Sequence, residues 1–225
     1  AAAKAQANGA YVITNPRGSH AMACGLDGPL SVTIKGSTGY YCAGMNKEAT
    51  VTVEGSAGPG VAENMMSGTV TIEGDASQYA GATGHGGLLN IKGNASSRCG
   101  ISMKGIDIVV HGNIGHMSAF MAQKGNLVVL GNAGDALGDS LYEARLFVRG
   151  EVKSLGADCI EKEMRPEHIE TLKALLEKAG RDVKVADLDE LGRFVVDCTA
   201  NRRYVIARDL DDTIDLLHRR ADAIS

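Results

Sequence analysis

Tryptophan is absent from this 225-residue chain, and only 4% of its residues are aromatic. Any core must be filled by small and aliphatic side chains. The five cysteines, Cys24, Cys42, Cys99, Cys159 and Cys198, form no CxxC pair. That argues against an iron–sulfur cluster held by this chain alone, and the odd count argues against a disulfide framework. Reduced thiols suit a cytoplasmic setting. No apolar run approaches the ~18 residues of a membrane helix. The opening AAAKAQANGAYV lacks the apolar stretch of a signal peptide. A net charge of −4 with no basic stripe argues against nucleic-acid binding. The six histidines, His20, His85, His111, His116, His168 and His218, form no HExxH or HxxH pair and share no zinc-type spacing with cysteine. No serine sits in a nucleophile elbow, and no pair of carboxylates stands apart from the solvated charges. The expectation is a chain with no metal, no cofactor and no catalytic constellation of its own.

What the chain has in excess is glycine, 29 residues, and much of it is periodic. Gly36, Gly55, Gly74, Gly93, Gly112, Gly131 and Gly150 are separated by 19 residues at every step. A fixed period near 20 with one strand in each marks a solenoid. The second and fourth residues before each glycine are apolar throughout, from Val32 and Ile34 to Leu146 and Val148. The residue just before it is polar in all repeats but one, where Leu130 stands. This is the alternation of a strand with one buried face. Seven steps after each glycine come Ala43, Ala62, Gly81, Gly100, Ala119, Gly138 and Ala157, a row of small residues that reads as tight corners. Clusters such as GSAGPG and GATGHGG are followed by more strand, not by the helix a phosphate loop requires, so they too read as corners.

The expected fold is an all-β solenoid, a single-stranded right-handed β-helix of seven 19-residue coils, with a small C-terminal α+β appendage. An incomplete coil should precede the first, within Ile13 to Gly25. Residues 1–163 are assigned to the β-helix and 164–225 to the appendage. In the latter, MRPEHIETLKALLEKAG has Pro166 at a helix start and Gly180 as its stop, with an apolar stripe of Ile169, Leu172, Leu175, Leu176 and Ala179. RFVVDC and RRYVIAR read as strands and DDTIDLLHRRADAI as a last helix.

Two surfaces stand out. Eleven steps after each glycine come Lys47, Met66, His85, Lys104, Gln123 and Tyr142, which stacking would place in one line. That line is either a solvated face or a contact or channel wall toward a partner. Met45, Met65, Met66, Met103, Met117 and Met121 crowd the same side, and exposed methionines suit an adaptable interface. On the outward strand face, the third residue before each glycine is polar in the early coils (Thr33, Thr52, Thr71, Asn90) and apolar in the late ones (Val109, Val128, Phe147). With Leu130 these last residues form a candidate docking patch, to be covered either by the helix near 166–179 or by a partner subunit. His85 as a catalytic base, in the manner of hexapeptide-repeat acyltransferases, conflicts with the period, since 19 is not a multiple of six.

Whole loops of the repeat, GYYCAGMN, GVAENMMSGTV, GATGHGGLL, RCGISMKGIDIVV, GHMSAFMAQ, GDALGDSLYEA and VRGEVKSLGADC, resemble the GXGXG β-helix of the glutamate synthase superfamily. The likeness covers roughly residues 10–165 and points most closely to the stand-alone subunit of N-methylglutamate synthase. Related β-helices occur in glutamate synthase and in formylmethanofuran dehydrogenase. The resemblance implies a non-catalytic spacer that joins a glutamine-amidotransferase-like subunit to a synthase subunit carrying FMN and iron–sulfur clusters. An amine liberated at the first would pass to the second, which forms N-methylglutamate from methylamine and glutamate. The amidotransferase nucleophile in that family is an N-terminal cysteine. This chain opens with Ala1, so the nucleophile is expected on the partner.

Overall fold

The period-two pattern becomes a ladder of parallel strands in the computed structural model, which describes residues 9–157, 159–162, 164–180 and, for the backbone alone, 194–197. The strands are β1 (Ala10–Thr14), β2 (Ser31–Lys35), β3 (Thr50–Val53), β4 (Thr69–Ile72), β5 (Leu88–Ile91), β6 (Lys104–Val110), β7 (Lys124–Val129) and β8 (Arg145–Val148). Each pairs in parallel with the next, as in Val51↔Val70, Val70↔Leu89 and Leu89↔Ile108. Strand spacing near 4.8 Å makes the eight-strand stack roughly 34 Å long. The two inward rows, from Val32 and Ile34 to Leu146 and Val148, are buried from β2 to β8. A second inner line, two residues after each glycine, runs Thr38, Ala57, Ala76, Ala95, Ile114, Ala133 and Val152 through single parallel bridges.

The marker glycines are glycine because backbone stacks on backbone. The N–H of Gly93 donates to the carbonyl of Gly74 at 3.0 Å, and Gly112, Gly131 and Gly150 repeat the bond to the glycine before. A Cβ at Gly112 would lie 2.8 Å from the Gly93 oxygen, inside contact distance. The next residue adds a side-chain ladder. The Asp75, Asn94, Asn113 and Asn132 Oδ1 atoms each accept the following coil's backbone N–H, at 2.7, 2.9, 2.8 and 2.8 Å.

The stack has one strand more than the glycines mark. β1 precedes Asn15, which takes the glycine's place with φ +55°, and the step from Asn15 to Gly36 is 21 residues. The preceding coil is therefore complete, where the sequence suggested a partial one. At the other end the last coil is one residue short: Leu137 bridges Leu155, at a step of 18. Gly156, not Ala157, then occupies the small-residue position, and Ala157 is exposed.

The chain next forms β9 (Glu161–Lys162), helix α1 (Pro166–Lys178) and β10 (Phe194–Asp197). β10 lies antiparallel to both β8 and β9, so the parallel stacking ends there. It falls within the expected RFVVDC strand, whereas RRYVIAR and the last expected helix lie outside the described residues. α1 lies on the outer face of the late strands. Leu172, Leu175, Leu176 and Ala179 form one apolar cluster with Leu88, Val109, Val128, Leu130 and Phe147. Each leucine fully buried in this way is worth about 1.5–3 kcal/mol. The stripe differs from expectation by one residue. His168 is 4% exposed and Ile169 is 37% exposed. His168 lies at i, i+4, i+7, i+8 and i+11 with the other four, and Ile169 falls at the edge of that arc.

Candidate partner-facing surface

The line from Lys47 to Tyr142 exists because the backbone beneath it is continuous. The N–H groups of Met66, His85, Lys104, Gln123 and Tyr142 donate to Asn46, Met65, Gly84, Met103 and Ala122 at 2.7–2.9 Å, one bond per coil. All six side chains of the row are exposed. Lys47 pairs with Asp27 of the preceding coil at 3.0 Å, and that carboxylate raises the ammonium above its ordinary pKa. The row thus presents cations, a thioether, an imidazole, an amide and a phenol in single file.

The loop leading into this row has an alternating backbone. Tyr41, Ala43 and Met45 have φ of +58°, +53° and +54°, and the same positions are left-handed in Ala62 and Asn64, Tyr79 and Thr83, Arg98 and Ser102, and Met117, Ala119 and Met121. A left-handed non-glycine residue costs on the order of 1–3 kcal/mol. Inter-coil bonds offset the strain: Tyr41 N–H donates to Pro59 at 2.9 Å, Ala43 N–H to Met22 at 2.8 Å and Met45 N–H to Glu63 at 2.7 Å. The alternation turns the middle residue inward and the flanking ones outward. Ala43, Ala62, Gly81, Gly100, Ala119 and Gly138 are buried accordingly. A Cβ on Gly81 would stand 2.6 Å from Ile108 Cδ1.

The methionines divide by this geometry. Met65 and Met103 are core, while Met45, Met66 and Met121 are exposed beside the row. Tyr40 and Tyr41 are half exposed at the N-terminal end, with His20 stacked on Tyr40 at 4.5 Å. Arg98 lies over the Tyr79 ring at 5.9 Å. These aromatic positions and the Asp/Asn ladder were not singled out from sequence. The ladder's signal was legible, since Ser37, Ser56, Asp75, Asn94, Asn113 and Asn132 all follow a marker glycine and all carry an acceptor oxygen.

The outward patch of Val109, Val128, Leu130 and Phe147 is covered by the chain's own helix. Polar contacts pin the helix end. Lys92 Nζ and Asn90 Nδ2 both donate to the Ala179 carbonyl, at 2.8 and 3.1 Å, and His111 Nε2 meets Asn90 Oδ1 at 3.0 Å. A lysine at a helix C-terminus also opposes the negative end of the helix dipole. Asp107, largely buried at this edge, has its pKa raised by desolvation, although Asn126 donates to it at 2.7 Å.

The buried thiols of Cys42 and Cys99 are poor nucleophiles. Burial pushes Cys99 up to about 12 and Cys42 to about 11. Among the described residues no three His, Cys, Asp or Glu side chains gather as a metal site, and no helix is long and apolar enough to cross a membrane.

Comparison with known proteins agrees with the stack. The GXGXG motif family matches residues 12–185. Protein GlxC of Rhizobium meliloti (strain 1021) is 77% identical over 184 residues, covering 82% of this chain and 80% of that protein. With most of its stacked coils inside the matched region, this chain belongs to the GXGXG motif family.

Proposed function

We propose that this chain is a glutamate-synthase-related subunit and, more specifically, the structural, channel-lining subunit of an N-methylglutamate synthase-type complex. In that role it carries no active site. It holds a glutamine-amidotransferase-like subunit and an FMN- and iron–sulfur-containing synthase subunit at a fixed separation in a cytoplasmic hetero-oligomer. The observation that carries this reading is the single file of six exposed side chains, Lys47 to Tyr142, on an unbroken inter-coil ladder. Stacked coils that each bond to the next make a stiff element, and sites held on rigid elements keep their geometry. Exposed Met45, Met66 and Met121 flank the file and give it the adaptable apolar contacts of an interface.

The test is purification of the affinity-tagged chain from its native cells, with mass spectrometry of what accompanies it. An amidotransferase-like protein and a flavin synthase are the expected companions. The subunits of a split glutamate synthase or of a formylmethanofuran dehydrogenase would move the chain to that assembly. A chain recovered alone at native abundance would overturn the reading.

A further inference from the structure

We draw no further inference here: the strongest candidate, the exposed aromatic patch of Tyr40 and Tyr41 with His20 stacked on Tyr40 at the N-terminal end of the stack, carries nothing because nothing in the structure shows what covers it.

Discussion

Strands β2 to β4 and strands β5 to β8 share one interior and differ on the outside. Inward, both halves present the same two aliphatic rows. Outward, the early half shows Ser31, Thr33, Thr50, Thr52, Thr69 and Thr71, none of them buried. The late half shows Leu88, Val109, Val128, Leu130 and Phe147, all buried beneath α1. A strand's inner face fixes its place in the stack, and its outer face decides whether it needs a cover. β-branched threonine satisfies a pleated surface and remains compatible with water. Valine and phenylalanine in the same row call for a helix.

The largest expected difference comes from putting a charge into the same row of each half. Val128→Asp leaves an unpaired carboxylate under α1 and should cost about 3–5 kcal/mol. Thr52→Asp, on the open face, should stay within about 0.5 kcal/mol of wild type. Thermal melts of the lone chain decide, and equal losses would break the comparison.

The corners belong to both halves. Gly81→Val places a branched side chain at φ +68° against Ile108 and should cost on the order of 1–3 kcal/mol or more. Gly100→Val, where the nearest atom is Ile108 Cδ1 at 3.3 Å, keeps the backbone strain with a milder clash. It should melt above Gly81→Val and below wild type. Unchanged melting of both would mean that the small-residue row does not set the coil.

This register was legible because its signals are local. Glycine at a backbone-on-backbone contact and a period-two strand can each be read without the third dimension. What was missed has physical reasons. Asn15 stands where the later coils have glycine, with no described coil before it to demand the backbone contact, and the step from it to Gly36 is 21 residues instead of 19, which hid β1. The deletion in the last coil moved the corner from Ala157 to Gly156. The left-handed positions on either side of the small row hold Tyr41, Arg98 and Thr83, residues that advertise no such backbone. Inter-coil bonds impose it, and those bonds appear only on stacking. His168 entered the buried face of α1 because its Nδ1 accepts the Arg165 N–H at 3.2 Å and its ring meets Phe147 edge-on at 6.4 Å. The partner-facing row was visible as a spacing, but spacing alone does not reveal exposure.

The shared interior has a pH signature. Cys99 is raised from 9.0 to about 12 by burial, so its neutral thiol is favoured in the fold. That contribution is complete below pH 9 and is lost as pH climbs toward 12, at up to about 1.4 kcal/mol per pH unit. Cys99→Ala, which copies Ala80 of the preceding coil, should flatten the alkaline limb of a stability–pH curve. An identical limb in both proteins would remove Cys99 from the account.

The smallest effect concerns the pin on α1. Lys92→Met removes one charge-assisted bond to the Ala179 carbonyl and should cost about 1 kcal/mol. Amide exchange should rise at the end of α1 and stay unchanged in β2 to β4. A uniform rise would mean that the helix and the early strands open together.

Under the proposed function, this chain would hold chemistry apart without performing it. The most direct measurement is an assay of the purified, isolated chain for glutamine hydrolysis, combined with its absorption spectrum from 350 to 500 nm (roughly the flavin range). The proposed function requires no turnover above buffer and no flavin bands. Glutamine turnover by a chain purified with bound flavin would contradict it.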